Sequence, residues 1–260
     1  MYSQERKKSI FQILKELEKV SVSSLANEFN VSEATIRRDL DDLAFKGLIV
    51  RTHGGALSKS DFELMSVSER KLLNLEQKKA IARVALKFIK DSDNIFLGGG
   101  STILELAKIL GDFEDLTIVT NSIDSSLELA KFQNVEVAIV GGTLWKKNLF
   151  TLGPPALKNL DDFNISKLFF GISGFDLEIG LSAPSILEAE IISKIISKSK
   201  VNYLLVDSSK FGKIFLYKVA SLTLIDVIIT DDKLDLDVVK KIENMGVEVL
   251  TTSFNKAKKL

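Results

Sequence analysis

The chain has 260 residues, and its 35 basic and 35 acidic side chains give a formal charge of zero. A balanced charge argues against a non-specific nucleic-acid coat but permits a sequence-specific reader, whose basic groups need only be local. The absence of cysteine excludes disulfide and thiolate chemistry, and no apolar run reaches membrane-spanning length, so we expect a cytoplasmic protein with no membrane partner.

Two amphipathic helices are predicted before residue 30. The first covers Tyr2–Lys19. Its inward-facing apolar residues are Ile10, Ile13, Leu14 and Leu17. The second covers Val22–Phe29. Its inward-facing residues are Leu25, Ala26 and Phe29. Asn30 and Val31 then form a tight turn, which leads into a third helix.

The third helix is predicted from Glu33 onward, because Ser32 is a favoured N-cap residue and Glu33 places an acid in the first turn. Its buried face is formed by Ile36, Leu40 and Leu43. Arg37 and Arg38 fall outside that face. Two helices joined by a short turn, the second with arginines pointing outward, are the pattern of a helix-turn-helix that reads the DNA major groove. The alternative is a helical hairpin with a solvated basic face.

The residues after the third helix favour DNA binding over that alternative. Gly47 is a typical helix stop, and a short β-run follows at Leu48–Arg51. Thr52–Gly55 is a turn, so this segment predicts a β-hairpin, or wing, directly after the recognition helix. Arg51 and His53, near the tip of the wing, are placed to contact a phosphate or the minor groove.

From residue 75 onward the chain alternates between helices and short apolar strands. Ser58–Glu69 is polar and unpatterned, as is typical of a linker, and Leu75–Lys90 returns to helix. The predicted strands are Ile95–Leu97, Leu116–Val119, Val135–Val140, Leu168–Phe170, Tyr203–Val206, Val227–Ile229 and Val247–Leu250. The later helices are Thr102–Leu110, Ser122–Lys131, Ser185–Ser199 and Asp235–Met245. This alternation predicts an α/β domain with a mostly parallel sheet, a fold that binds ligands at the carboxyl ends of its strands.

A glycine loop, Gly98-Gly99-Gly100-Ser101-Thr102, follows the first of these strands and runs directly into a helix. Glycines let the backbone approach an anion closely, and the free amides at a helix start attract one. The hydroxyls of Ser101 and Thr102 add donors. The loop therefore predicts a phosphate site, with an ordinary strand-to-helix turn as the alternative.

Small or hydroxylated residues also follow the other strands. These loops contain Thr120-Asn121-Ser122, Gly141-Gly142, Gly171-Ile172-Ser173-Gly174 and Asp207-Ser208-Ser209-Lys210. Together they predict a polar pocket for a small, phosphorylated polyhydroxy ligand. Lys210 offers a point charge to the phosphate. Asn121, Asp207 and Glu188 are candidates for the sugar hydroxyls, although a solvated helix face is the alternative for Glu188.

Ordered motifs extend through nearly the whole chain. They are Glu5-Arg6, Val31-Ser32-x-x-Thr35-Ile36-Arg37-Arg38-Asp39-Leu40, Gly47-Leu48-x-x-Arg51-x-His53-Gly54-Gly55-Ala56, Gly100-Ser101-Thr102, Thr120-Asn121-Ser122, Gly141-Gly142, Gly171-x-x-Gly174, Gly180-Leu181, Glu188-Ala189, Asp207-Ser208-Ser209-Lys210-Phe211-Gly212 and Ile229-Thr230-Asp231. In these motifs the chain resembles the DeoR family of bacterial transcriptional regulators. The resemblance implies a winged helix-turn-helix followed by a sugar-phosphate sensor domain that is similar in fold to ribose-5-phosphate isomerase. It also implies a repressor of a sugar-metabolism operon, which binds double-stranded operator DNA and a phosphorylated sugar effector.

The residue patterns and the resemblance together define the expected sites. The residues expected to contact DNA are Ser32, Thr35, Arg37, Arg38, Arg51 and His53. Those expected to bind the effector are Gly99, Gly100, Ser101, Thr102, Thr120, Asn121, Gly141, Gly142, Gly171, Glu188 and Lys210. No catalytic residue, cofactor or metal is expected. Gly98 and Ser173 stand where the family often has Asp. The loss of these two carboxylates is expected to change which sugar the protein binds. The loop at Glu18–Ser21 lacks the glycine that is usual there.

The expected domains are residues 1–57 for DNA binding, 58–74 as a linker, and 75–260 for effector binding and oligomerisation. A homo-oligomer, a dimer or tetramer, is expected because one small winged unit reads few base pairs. One alternative is a sugar-phosphate isomerase with an appended DNA-binding domain, in which Glu188 would be the base; the acid-free loop Gly171–Gly174 argues against it. Another is a module regulated by protein partners alone, against which the loop Gly100–Thr102 argues.

Overall fold

The computed structural model describes residues 3–17, 19–45, 49–52, 54–58 and 73–252. Among them, the residues up to Asn74 form one compact unit and those from Leu75 onward form another. No helix in the described ranges is long and apolar enough to cross a lipid bilayer. His53, the predicted helix stop at Gly47 and most of the predicted linker lie outside the described residues.

The described part of the N-terminal unit contains three helices and one small sheet. The helices are α1 (Ser3–Leu17), α2 (Val22–Phe29) and α3 (Glu33–Phe45), and the strands are β1 (Lys19–Ser21), β2 (Ile49–Thr52) and β3 (Gly55–Ser58). An apolar cluster joins the helices and the hairpin. Its fully buried members include Ile10, Leu14, Leu25, Ile36 and Leu40. The predicted helix-turn-helix and the hairpin that follows it are therefore present.

Local hydrogen bonds set the turn between α2 and α3. Ser21 caps α2, because its Oγ accepts a hydrogen bond from the Ser24 amide at 3.0 Å. Asn30 ends α2 in the left-handed region with φ of +50°, a conformation that Asn tolerates better than most residues. The Oγ of Ser32 accepts a bond from the Thr35 amide at 3.2 Å. The predicted N-cap of the recognition helix is confirmed.

Two expectations for the end of α1 are wrong. The helix ends at Leu17, and the side chain of Leu17 is 64% exposed instead of completing the inward stripe. The reason is that the chain leaves the helix to form β1, which pairs antiparallel with β3 and places Val20 opposite Ala56. Gly55 permits this pairing, since a Cβ atom there would lie only 1.8 Å from the carbonyl oxygen of Val20.

The C-terminal unit is built from alternating helices and strands. Its helices are α4 (Leu75–Leu86), α5 (Ser101–Ala107), α6 (Ile123–Leu129), α7 (Pro154–Asn159), α8 (Ile186–Lys198) and α9 (Leu236–Glu243). Its strands are β4 (Asn94–Leu97), β5 (Leu116–Thr120), β6 (Val135–Ile139), β7 (Thr143–Trp145), β8 (Phe150–Leu152), β9 (Lys167–Phe170), β10 (Gly174–Asp176), β11 (Gly180–Ala183), β12 (Val201–Leu205), β13 (Tyr217–Ala220), β14 (Val227–Asp231) and β15 (Glu248–Thr252). Within residues 73–252, seven strands form one parallel sheet in the order β15-β14-β12-β9-β4-β5-β6. All the predicted strands belong to it.

Helices cover both faces of this parallel sheet. Ile95 and Leu97 of β4 belong to the apolar cluster that includes α4, α5 and α6. Phe96, between them, belongs to the cluster that includes α7, α8 and α9. Burial on both faces explains why the strands read as nearly continuous apolar runs. The predicted α/β class is confirmed.

The structure also contains antiparallel elements that the sequence patterns do not predict. β7 and β8 form a hairpin, and β10, β11 and β13 form a small sheet. These strands have only three or four residues and give no clear apolar period. In addition, α4 ends at Leu86, whereas a helix to Lys90 was expected.

Candidate DNA interface and effector site

The recognition helix α3 presents its arginines to solvent. Arg37 and Arg38 are exposed, while their neighbour Ile36 is fully buried. Arg37 donates a hydrogen bond to the carboxylate of Glu33, one turn earlier, at 2.7 Å. Arg38 has no ion pair among the described residues. It lines a groove with Thr35, with Ser3, Arg6 and Lys7 of α1, and with three aspartates of α3, Asp39, Asp41 and Asp42. Arg38 is thus the arginine of α3 whose charge is most available to an external anion.

A buried ion pair joins α1 to α3. The Nε of Arg6 lies 2.5 Å from the Oδ2 of Asp39, and these two residues are only 7% and 3% exposed. Ser3 also donates a hydrogen bond to the Oδ1 of Asp39, at 3.3 Å. This pair holds the face of α3 that carries Asp39 and Leu40 against α1 and the apolar cluster of the N-terminal unit. Arg37 and Arg38 consequently point away from it.

The wing is tied to α3 through Arg51. Its Nε donates to the Oδ1 of Asp41 at 2.8 Å, and its Nη1 donates to the carbonyl oxygen of Gly55 at 2.6 Å. The Arg51 guanidinium therefore holds the wing in this conformation. The sequence pattern predicts that the same side chain contacts a phosphate or the minor groove. Ser32 and Thr35, at the start of α3, have hydroxyl oxygens 2.9 Å apart.

The predicted effector loops meet where the strand order of the parallel sheet reverses. β5 and β6 lie on one side of β4, and β9 and β12 lie on the other, which creates the crevice where such sheets bind ligands. The loops after β4 and β9 are close together, because a Cβ atom at Gly171 would lie 3.7 Å from the carbonyl oxygen of Gly99. Gly98 has no room for a side chain, since its Cβ would lie 2.9 Å from the Cβ of Phe170. A carboxylate at position 98 would need Phe170 to shift.

A cavity of about 20 Å³ lies at this crevice, which is space for about one water molecule. Among the predicted effector residues, Gly99, Asn121, Gly171 and Glu188 line it. Asn121 and Glu188 are both buried. The rest of the wall is mainly apolar and comes from β8, β9 and α8. The cavity thus lies between the glycine loop and the carboxylate of Glu188 on α8.

The glycine loop enters α5 at Gly100. This residue has φ of +116°, which favours glycine, and its carbonyl oxygen accepts the bond from the Leu104 amide at 2.9 Å. Ser101 is half-buried and Thr102 is buried. The amides of the first turn of a helix lack partners within the helix, so this loop offers donors to an anion.

Three other predicted effector residues have different surroundings. Thr120 is fully buried; its hydroxyl donates to the carbonyl oxygen of Leu97 at 2.7 Å and accepts from the Ser122 amide at 3.1 Å. The Thr120 hydroxyl therefore shapes the loop through the backbone, and its contact with a ligand stays a prediction. Gly141 and Gly142 are exposed and do not line the cavity.

A buried carboxylate surrounded by lysines follows β12. Burial raises the pKa of Asp207, but the charge of Lys210, the hydrogen bond from Ser209 and the charges of Lys78 and Lys213 outweigh it and hold the pKa below its ordinary value of 3.8. The sequence pointed to Lys210 and Asp207. It did not point to Lys78, which is buried in the first turn of α4, or to Lys213.

Replacing Asp207 by asparagine is expected to lower the free energy of unfolding at pH 7 by about 1–3 kcal/mol, because Ser209 loses a charged acceptor. The folded-state pKa lies below 3.8, so the carboxylate stabilises the fold above that pH and loses its effect as the pH falls through the lowered pKa. Urea unfolding of parent and Asp207→Asn should thus differ at pH 7 and converge in acid. A difference that persists unchanged at low pH would contradict this explanation.

No cluster of side chains able to hold a metal ion occurs among the residues that the structure describes.

The winged helix-turn-helix unit and the α/β unit with polar loops at its switch point together define a DNA-binding protein with a separate ligand-sensing unit. Residues 6–62 match the model of the DeoR-like helix-turn-helix domain, and residues 73–232 match that of the DeoR C terminal sensor domain. The chain belongs to the DeoR family and is a DNA-binding transcriptional regulator.

Relatives match along almost the entire chain. The HTH-type transcriptional regulator YulB of Bacillus subtilis is 37% identical, over 97% of this chain and 98% of its own length. The lactose phosphotransferase system repressor of Staphylococcus epidermidis is 34% identical, over 96% of this chain and 100% of its own. A solved D-ribose-5-phosphate isomerase matches with 24% identity and a TM-score of 0.39, over 52% of this chain and 53% of its own.

Proposed function

We propose that this regulator represses a sugar-metabolism operon and that a phosphorylated sugar controls its affinity for operator DNA. The observation that carries the proposal is the meeting of the glycine loop, Asn121 and Glu188 at the switch point of the sheet. The names of two similar repressors support the sugar connection, the lactose phosphotransferase system repressor and the putative aga operon repressor of Escherichia coli. The proposed division is 1–57 for DNA, 58–74 as linker and 75–260 for the effector.

On the DNA side, we assign the reading of bases to α3. Its exposed Arg38 is proposed to contact a base edge, most favourably a guanine, in the major groove. Arg37, which is paired with Glu33, and the hydroxyls of Ser32 and Thr35 are proposed as contacts near the start of the helix. Arg51 and His53 are proposed to approach the DNA backbone. Phosphate contacts should make the affinity fall with salt.

On the effector side, the phosphate is proposed to bind the amides at Gly100–Thr102. The positive charges of Lys78 and Lys210, which act on Asp207, would add to the attraction. The sugar is proposed to extend toward Asn121 and Glu188, which line the cavity beside the glycine loop. A carboxylate and an amide are suitable partners for sugar hydroxyls, because they accept and donate hydrogen bonds respectively.

Thr102→Val is expected to weaken sugar-phosphate binding by about tenfold, because it removes one hydrogen-bond donor from the phosphate site. DNA affinity measured without sugar phosphate should not change, since Thr102 belongs to the C-terminal unit. Calorimetry with ribose 5-phosphate, fructose 6-phosphate and glucose 6-phosphate provides the measurement. Thr251→Val, at an exposed threonine of β15, is the matched control. Equal binding by Thr102→Val and the control would place the phosphate elsewhere.

The isomerase alternative has one observation in its favour, the buried carboxylate of Glu188 in the cavity. The relatives are named as transcriptional regulators, and the loop Gly171–Gly174 contains no acid. We expect no conversion of ribose 5-phosphate to ribulose 5-phosphate by the full chain. Conversion that disappears in Glu188→Gln would show that the site is catalytic.

We also propose that the chain acts as a dimer or tetramer assembled through residues 75–260. Two-fold pairing doubles the number of base pairs that a small winged unit reads. Light scattering at micromolar concentration should therefore give at least twice the monomer mass of 28.8 kDa. A monomer that retains full operator affinity would refute this proposal.

A further inference from the structure

The side chain of Phe150 rests directly on the glycine loop. Phe150 begins β8 and is only 7% exposed. A Cβ atom built on Gly99 would lie 2.0 Å from the Cε1 and 2.1 Å from the Cζ of this ring. Contacts this short mean that the edge of the phenyl ring occupies the space beside Gly99 that a side chain would otherwise take.

The ring restricts the cavity in which the sugar is proposed to bind. Phe150 lines that cavity together with Gly99, Asn121 and Glu188. The remaining volume of about 20 Å³ holds about one water molecule, far less than a sugar phosphate requires. Phe170 packs against Gly98, whereas the space where a Cβ atom of Gly100 would lie is open. A ligand that reaches through this cavity from the loop to Glu188 must therefore displace the Phe150 ring.

The β7–β8 hairpin that carries Phe150 is bonded to the loop that contains Asn121. The Thr151 amide donates to the carbonyl oxygen of Asn121 at 2.8 Å, and the Ile123 amide donates to that of Leu149 at 2.9 Å. Leu149 has φ of +54°, a region that residues with a branched side chain rarely adopt. The hairpin thus turns sharply just before Phe150, and a ligand that contacts Asn121 acts on the segment to which the hairpin is attached.

We propose that Phe150 is the gate and the size-determining residue of the effector cavity. The ring closes the cavity in the conformation described here, and a sugar phosphate binds only after the β7–β8 hairpin has moved the ring off Gly99. This inference rests on the effector site proposed above. The apparent affinity is then the intrinsic affinity multiplied by the fraction of molecules with the gate open. Removal of the ring should consequently tighten binding.

The hairpin contains its own reporter of this movement. Trp145 is the only tryptophan of the chain, and it lies opposite Phe150 in the β7–β8 register. Displacement of the hairpin changes the surroundings of the indole ring. Addition of a sugar phosphate to the full chain should therefore shift the tryptophan emission. Inorganic phosphate should leave the emission unchanged, because the space beside Gly100 is open while the Phe150 ring is in place.

The binding test uses Phe150→Ala and the more conservative Phe150→Leu, which retains apolar packing if the alanine variant unfolds. Calorimetry is performed with ribose 5-phosphate, fructose 6-phosphate, glucose 6-phosphate and inorganic phosphate. The sugar phosphates that bind the parent should bind the variants about tenfold more tightly, as expected when the open fraction rises from a tenth to nearly one. Inorganic phosphate should bind all three proteins equally. Leu144→Ala, at an exposed position of β7, is the matched hairpin control and should behave as the parent.

The outcomes separate the gate from the effector site. Equal sugar-phosphate affinity in the parent and both Phe150 variants would overturn the gate but leave the effector site standing, and so would unchanged Trp145 emission when a sugar phosphate binds. Failure of every sugar phosphate and of inorganic phosphate to bind any of these proteins would overturn the effector site, and the gate with it.

Discussion

Asp39→Ala is expected to lower the free energy of unfolding of the N-terminal unit by about 3–5 kcal/mol, the usual effect of removing one partner from a buried ion pair. The Arg6 guanidinium, 7% exposed, would lose the carboxylate that lies 2.5 Å from its Nε. Urea unfolding followed by circular dichroism measures the loss. Operator binding should fall in parallel, because less of the helix-turn-helix is folded.

Asp42→Ala is the matched control for this prediction. Asp42 also lies on α3 and pairs with Lys7, but its side chain is 58% exposed. Exposed pairs contribute at most about 1 kcal/mol, so the control should be nearly as stable as the parent. Similar losses in the two variants would show that the burial of Asp39 does not determine how much it contributes to the free energy of unfolding.

Arg38→Ala is expected to weaken operator binding by about 1–3 kcal/mol, or roughly 5–150-fold, if the side chain reads a guanine edge. Folding should be unaffected, since Arg38 is exposed and has no ion pair among the described residues. Fluorescence anisotropy with labelled DNA from the chain's own promoter measures the affinity. Arg37→Ala should have a smaller effect, because its guanidinium is already paired with Glu33.

Arg83→Ala controls for the loss of one positive charge. Arg83 is an exposed residue of α4 in the C-terminal unit. Its removal should leave operator affinity within about twofold of the parent once salt is held constant. If Arg38→Ala and Arg83→Ala weakened binding equally, α3 would not be the recognition helix.

The elements that the sequence predicts well have strong local signals. α2 and α3 follow from N-caps at Ser21 and Ser32 and from apolar residues at helical spacing, all within a few residues of one another. The strands of the parallel sheet follow from apolar runs because both of their faces are buried. By contrast, β1 has three residues and depends on Gly55, more than thirty positions later, for its pairing.

In the candidate sites, too, local sequence signals are predictable and contacts between remote segments are not. The sequence predicts that the glycine loop lies at the carboxyl ends of the strands, because strand ends and glycines are visible in it. The strand order that makes this edge a switch point is visible only in the structure. The contribution of Lys78 beside Asp207 and that of Phe150 on Gly99 were not predicted, since remote segments meet there only in the folded chain. The bond from the Thr120 hydroxyl to the carbonyl oxygen of Leu97 likewise depends on the pairing of β4 with β5, which the sequence does not show.

In the proposed mechanism, a sugar phosphate and operator DNA bind to one protein and affect each other's affinity. Such coupling is reciprocal, and it typically changes affinity by about 5–150-fold. The most direct measurement is a titration of the full chain with ribose 5-phosphate, fructose 6-phosphate and glucose 6-phosphate, each in the presence and absence of operator DNA. We predict that at least one of them binds more weakly to the DNA complex, and that it weakens DNA binding by the same factor. Tight binding of a sugar phosphate with identical affinity in both states would contradict the account.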